Sequence, residues 1–343
     1  MKIAYMYDET IGLHSYGKDH PMNPFRITMT HSLVKSYQLE HYLDLYAPTK
    51  VPITYHSDEY LKSIGVKETP DCPVFENIFD FCERYASASI NGAFILNSGL
   101  YNCVINWAGG LHHAKKEEAS GFCFVNDIVM AILELLSKYE RVMYIDVDVH
   151  HGDGVEEAFL DNDRVLTLSL HKYGDGFFPD TGTLITGDWK ALNVPLQNGI
   201  DDDSYKYIFE PVVSNAIRKF KPNVIVYQSG ADSLAEDKLG TFSLSIKGHA
   251  ECLKFVMSYE IPLLVLGGGG YTIHNVARCW AYETAVLCGA PIPDVIPDDN
   301  PFRQYFEPNF ETNPEFYHKH ANQNRKKYLD SIIEFLQDKI DKF

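Results

Sequence analysis

The chain has 343 residues, 45% of them hydrophobic and 13% aromatic, and a formal net charge of −17. That content is ample for a sizeable core, and no apolar run reaches the roughly 18 residues of a membrane span, so a membrane protein is excluded and a soluble one expected. The charge disfavours direct binding to nucleic-acid phosphates and favours a cationic partner or substrate, although acidity also serves solubility alone.

No Pro/Ser/Gly-rich linker, low-complexity segment or fixed-period repeat divides the sequence, so one domain is expected over residues 1–343. The seven cysteines are odd in number and scattered, without a Cys-x-x-Cys pair. This argues against a disulfide framework or a thiolate zinc site and for a reducing compartment.

Residues 1–7 read as a first strand, because a secretory signal would carry a longer apolar run ahead of a small-residue cleavage site. Further apolar, β-branched runs follow at 103–106, 142–149, 165–170, 224–228 and 263–266, and amphipathic helical stretches at 127–139, 204–220, 248–259, 272–287 and 324–342. Strands apolar on both faces that alternate with helices predict an α/β protein with a parallel sheet covered on both sides.

Each of five strands leads directly into polar chemistry. Residues 103–106 precede Trp107-Ala108-Gly109-Gly110-Leu111-His112-His113, and 142–149 end in His150-His151-Gly152-Asp153. Residues 165–170 end in His171, 224–228 lead into Ser229-Gly230-Ala231-Asp232, and 263–266 into Gly267-Gly268-Gly269-Gly270-Tyr271. Sites in parallel α/β sheets form beyond the carboxyl ends of strands, so these five segments are expected to build one site.

Asp146, Asp148 and His150 alternate along the third run and project from one face of a strand, while Ile145, Val147 and Val149 pack on the other. Desolvating carboxylates is costly unless they are paired or bind a cation, and carboxylate oxygen with imidazole nitrogen suits a divalent metal such as zinc. Two other readings of this stretch stand: Asp153 ahead of Gly154-Val155-Glu156-Glu157 as a helix cap, and Asp146 to Val149 as an aspartyl-phosphate hydrolase pattern. Asp232 supplies a third metal ligand beside Asp148 and His150, or caps the element after it.

His112 and His113 suit acid/base work near neutral pH as a coupled pair, with Asp146 and Asp153 available to orient their far nitrogens. Tyr271, at the tip of the four-glycine turn, is placed to donate to a developing oxyanion. The turn fails as a nucleotide loop, since Thr272 stands where the last glycine of Gly-x-Gly-x-x-Gly belongs and no Gly-Lys-Ser/Thr occurs.

The segment from Trp107 to Lys116, Ser120-Gly121-Phe122-Cys123, the stretch from Asp146 to Gly154, Gly230-Ala231-Asp232, and the glycine turn to Tyr271 with Ala277-Arg278-Cys279-Trp280 resemble a class I histone deacetylase, in order and over nearly the whole chain. The resemblance implies a compact member with the arginase/deacetylase fold: a single three-layer domain whose central, mostly parallel sheet of about eight strands is flanked by helices. It implies that Asp148, His150 and Asp232 hold zinc, with iron(II) as the alternative metal, and that His112 and His113, backed by Asp146 and Asp153, act as the histidine pair. Tyr271 would polarise the acetyl carbonyl. Gly121, Phe122, Phe178 and Leu239 would line the channel for the acyl-lysine stem, with Asp71 at its rim, although ordinary core packing would also account for the two phenylalanines. Structural potassium would be bound by Asp146, Asp148, His150, Ser169 and Leu170, and Arg26 matches an interior arginine beneath the site.

The implied activity is zinc-dependent hydrolysis of the acetyl amide of N-acetyl-lysine in histone tails, favouring transcriptional repression, in the nucleus and also the cytoplasm, with co-repressor proteins as partners. The alternatives are an acetylpolyamine amidohydrolase, which needs the same site behind a different entrance, and an inactive acyl-lysine-binding scaffold. Relatives that bind an inositol phosphate between enzyme and co-repressor use basic residues where this chain has Asn23, Lys247 and His274, so no dependence on that ligand is expected. Asp180 stands where the family usually has glycine, a place for which Asp is suited by its tolerance of left-handed backbone.

Overall fold

A computed structural model describes residues 2–342. Eight strands, β1 (Ile3–Met6), β2 (Asp44–Tyr46), β3 (Cys103–Asn106), β4 (Val142–Asp146), β5 (Val165–Lys172), β6 (Ala191–Leu196), β7 (Val224–Gln228) and β8 (Leu263–Leu266), form one sheet in the order β2-β1-β3-β8-β7-β4-β5-β6. Every pairing in it is parallel. The expected first strand is present as β1, with Met1 outside the described residues.

Alternate residues of the strands enter two separate cores. Ile3, Ile105, Met143, Ile145, Ile225 and Val265 face one, while Ala4, Val104, Val142, Tyr144, Val226 and Leu264 face the other. Both faces are apolar because helices cover both, which is why a parallel sheet reads as unbroken hydrophobic runs. Nine helices among the described residues do this: α1 (Phe25–Ser36), α2 (Asp58–Ser63), α3 (Ile78–Asn97), α4 (Asp127–Leu135), α5 (Asp153–Phe159), α6 (Asp202–Phe220), α7 (Ile246–Met257), α8 (Ile273–Cys288) and α9 (Lys326–Ile340). Helices α4, α5 and the second half of α3 pack on the second face. Helices α1, α6, α7, α8 and α9 pack on the first, where Leu329, Ile332, Leu336 and Ile340 form one stripe of α9.

Local chemistry sets the helix starts. The side chains of Asn126, Asp201 and Ser245 accept from the N–H groups of Val129, Ser204 and Gly248 at the beginnings of α4, α6 and α7. Gly289, with φ +61°, ends α8.

One strand is shorter than its sequence pattern. The run expected over 142–149 leaves the sheet after Asp146, so Asp148 and His150 stand on the loop beyond β4 and not on the strand face with Asp146. The inward and outward alternation persists past the strand end, since Val147 and Val149 remain in the first core. The loop is held by its own carboxylates: the N–H of Asp148 donates to Asp146 Oδ1 and that of His150 to Asp148 Oδ1.

Candidate active site

Four of the five segments nominated by the sequence follow β3, β8, β7 and β4, and the fifth, His171, lies in the last pairings of β5, which runs on to Lys172; the five strands are consecutive across the middle of the sheet. Adjacent parallel strands end on the same edge, so their loops meet. Asp148, His150 and Asp232 are all buried, and each offers a ligand atom within 4.8 Å of the others. His150 Nδ1 lies 3.0 Å from both Asp148 Oδ1 and Asp232 Oδ2.

Backbone and amide groups fix the two carboxylates. Asp148 Oδ2 accepts from Gly269 N (2.8 Å) and Gln228 Nε2 (2.9 Å), and Asp232 Oδ1 accepts from Val149 N (2.9 Å). A Cβ built on Gly269 would come within 2.0 Å of Asp232 Oδ2, so the turn approaches the carboxylates as only glycine can. Burial pushes the Asp232 carboxyl up to about 7, and the neighbouring Asp148 adds to the rise. A divalent cation among these oxygens turns that repulsion into attraction, and the set of two carboxylates and one imidazole suits such an ion. The donor set therefore fits a metal.

The histidine pair lies beside it. His112 Nδ1 is 2.8 Å from Asp146 Oδ2, His113 Nδ1 is 2.7 Å from Asp153 Oδ1, and the two Nε2 atoms are 2.9 Å apart. Burial alone would lower the His112 imidazole, but Asp146 and Asp148 outweigh it and lift it to about 9. Burial, reinforced by charged His112, pushes His113 down to about 3. Asp153 is not a helix cap: Gly152 holds the cap position of α5, and the Asp153 carboxylate serves His113 and, at 2.7 Å, Lys115 Nζ. Despite its burial, these partners hold it well below the usual carboxylate range.

Tyr271 is 4% exposed. Burial drives its phenol far above the ordinary value, so it remains a hydroxyl donor. Its ring stands edge-on to Phe122 at 5.7 Å and to His150 at 6.5 Å. Arg26 reaches from α1 to the carbonyls of Gly268 and Gly270, 2.6 Å each, and so braces the turn ahead of Tyr271.

Of the residues assigned to the channel, Phe178 stands edge-on to His113 at 5.0 Å and is 41% exposed, and Leu239 is 37% exposed. Gly121 has φ +54°, and a Cβ there would lie 2.3 Å from His113 and 2.9 Å from Phe178. The Asp71 carboxylate accepts from Gly121 N (2.5 Å) and Thr69 Oγ1 (2.6 Å). Asp180 adopts φ +61°, the left-handed backbone expected of it. Ser169 pairs with Asp146 in the register of β4 and β5, with Leu170 next to it. Arg278 lines a cavity with His274, whose imidazole is pushed down by burial and then by Arg278.

Several supporting residues were not assigned a role from sequence. Gln228 bonds Asp148 and Gly110 O, and its signal was a polar end on an apolar strand. Asp127 accepts from Gly110 N and Leu111 N, fixing the turn into His112, although it reads as a first-turn helix acid. Asp237 accepts from Tyr271 N (2.7 Å) and Leu239 N (2.9 Å). Phe177 stacks on His150 at 5.1 Å, and Tyr144 donates to Asp146 Oδ2.

Residues 20–287 match the histone deacetylase domain family. The chain is 48% identical over 358 aligned positions to Histone deacetylase 1 of Homo sapiens, and equally to the proteins of that name from Bos taurus and Rattus norvegicus. Each alignment covers 96% of this chain and 73% of the relative.

Proposed function

The chain belongs to the histone deacetylase family and is a metal-dependent hydrolase of acetyl-lysine in histones; we propose that its metal is zinc, held by Asp148, His150 and Asp232. The observation that carries this reading is the convergence of those three buried groups beside two histidines, each backed by its own carboxylate. Bound there, zinc supplies Lewis acidity toward the acetyl carbonyl and lowers the pKa of water.

The chain's own groups do the rest. The His112–His113 pair takes a proton from the attacking water and returns one to the lysine nitrogen as the C–N bond breaks. The Tyr271 hydroxyl donates to the oxyanion that forms when the carbonyl is attacked. Asp146 and Asp153 orient the imidazoles through their Nδ1 atoms, and Lys115 secures Asp153. Phe122, Phe178, Gly121 and Leu239 enclose the aliphatic stem of the lysine, and Asp71 meets the substrate backbone at the rim. Asp146, Asp148, His150, Ser169 and Leu170 would hold a structural potassium, supported by the side-by-side register of Asp146 and Ser169.

We read residues 1–343 as one catalytic domain, because one sheet joins all eight strands and one of its two cores draws residues from Ile3 to Ile340. The nucleus, with the cytoplasm, is the proposed location, and co-repressor proteins are the proposed partners. Inositol phosphate is not required in this reading: Asn23 is uncharged, and His274 is held neutral by burial and Arg278. Tight, activity-raising binding of that ligand would overturn the last point.

The test compares purified protein on an acetyl-lysine histone-tail peptide and on an acetylated polyamine. Preference for the peptide by tenfold or more in kcat/KM is expected. The reverse preference would replace the histone reading with the polyamine one, and no turnover of either by metal-loaded protein would favour a binding scaffold.

A further inference from the structure

Behind the metal-ligand loop lies a second buried polar group. His249 on α7 and Glu283 on α8 have completely buried side chains, with His249 Nδ1 2.8 Å from Glu283 Oε1. His249 Nε2 lies 3.0 Å from the carbonyl oxygen of Gly230, and Glu283 Oε2 accepts from Ser229 Oγ at 2.7 Å. Trp280, also on α8, donates from Nε1 to the carbonyl oxygen of Ser229 at 2.8 Å. Two helices thus grip the Ser229-Gly230 turn, and Asp232 follows two residues later.

The proton count is fixed by chemistry. A carbonyl oxygen only accepts, so His249 Nε2 carries a hydrogen, and one further proton lies between Nδ1 and the Glu283 carboxyl. The pair is neutral overall in either arrangement, which lets it sit in a dry core. Cys279 Sγ, 3.6 Å from His249 Nδ1, completes a group whose N, O and S atoms fall within 4.8 Å. His249 is committed to the Gly230 carbonyl and to Glu283, and Glu283 to Ser229, so the cluster ties α7 and α8 to the turn.

What it ties is specific. Tyr271 stands two residues ahead of α8, and the same helix presents Trp280 and Glu283 to the turn that delivers Asp232. The turn itself has no slack, since a Cβ on Gly230 would lie 2.2 Å from Asp148 Oδ2. We propose that His249 and Glu283 are positioning residues that set Asp232 relative to Tyr271, so that metal geometry and the oxyanion donor are adjusted by one helix. This rests on the metal and Tyr271 assignments of the proposed function.

Full-length protein loaded with cobalt(II) tests it, using Glu283→Leu and Glu283→Gln. Gln keeps every bond, accepting from Ser229 and donating to His249 Nδ1, whereas Leu leaves both unpaired. Glu283→Leu is expected to weaken the cobalt dissociation constant by about 10–100-fold, to alter the visible cobalt spectrum, and to lower kcat at least tenfold with KM within about threefold. Glu283→Gln should stay within about threefold of wild type in all of these. A Glu283→Leu protein with wild-type cobalt affinity, spectrum and kcat would overturn the proposal, as would equal impairment of the two variants. Should the Leu variant fail to fold, Ser229→Ala removes a single bond, and an unchanged rate of cobalt release to a chelator would overturn it. A second cobalt equivalent lost in Cys279→Ala would also overturn it, in favour of an ion site. If wild type neither binds cobalt nor hydrolyses the peptide, the proposed function fails and not the tether alone.

Discussion

His112 and His113 face each other through Nε2 atoms 2.9 Å apart, while their Nδ1 atoms face Asp146 and Asp153. Both Nδ1 atoms donate to carboxylates, so only one of the two Nε2 atoms carries a hydrogen and the pair holds a single positive charge. Against burial, Asp146 raises His112, while burial lowers His113, directions that favour the charge on His112. The geometry and the electrostatics therefore assign the acceptor nitrogen to His113.

Asp153→Asn tests the support that His113 receives. The amide still occupies the space but removes the charge that orients His113 and pairs with Lys115. We expect kcat to fall by about 10–100-fold with KM within about twofold and the melting temperature within a few degrees. An unchanged kcat would remove Asp153 from the mechanism.

Tyr271→Phe deletes a hydroxyl and little else, since the backbone there is held by Asp237 and Arg26. The expected loss in kcat is about 10²–10³-fold, with wild-type metal content. Activity within threefold of wild type would show that the oxyanion is stabilised without it.

Gly121→Ala probes the channel. The added methyl meets His113 and Phe178 on a backbone of φ +54°, so both strain and obstruction are expected. Steady-state kinetics should show kcat/KM reduced at least tenfold while far-UV circular dichroism is unchanged. Wild-type kinetics would place the lysine stem elsewhere.

His31 gives the fold an acid-sensitive element. Its ring stacks on Tyr7 at 3.6 Å, its Nδ1 has no hydrogen-bond partner among the described residues, and burial followed by Lys35 pushes it down to about 4. The unfolded chain takes up a proton near the ordinary pKa of about 6.5, before the folded one does, so this contribution is complete above that pH and is lost as pH falls toward 4. After allowance for partial exposure the loss is on the order of 1–2 kcal/mol. In thermal melts, His31→Phe, which keeps the stack, should narrow the difference between pH 7 and pH 5. An unaltered difference would assign the acid sensitivity to other groups.

The central strands and the five loops were legible because each carries its signal locally: an apolar run followed within a few residues by His, Asp or Tyr, in three of the five through glycine. The edge strands were not. All three residues of β2 are exposed, and β6 contains Asn193 and Pro195, so neither reads as an apolar run. The pattern at 142–149 overran the true strand because the loop keeps the same alternation after the sheet ends. The supports of the site lie outside local reading for another reason. Asp237 meets Tyr271 across 34 residues and Glu283 meets Ser229 across 54, contacts between segments that are distant in the sequence.

The most direct test of the metal assignment is zinc titration of chelator-stripped protein, wild type beside Asp232→Asn, with bound metal and turnover of an acetyl-lysine histone peptide followed together. In wild type, turnover should rise with zinc and saturate at one equivalent, and the variant should bind zinc weakly without turnover. Full turnover by stripped wild type, or wild-type zinc affinity in Asp232→Asn, would contradict the metal assignment.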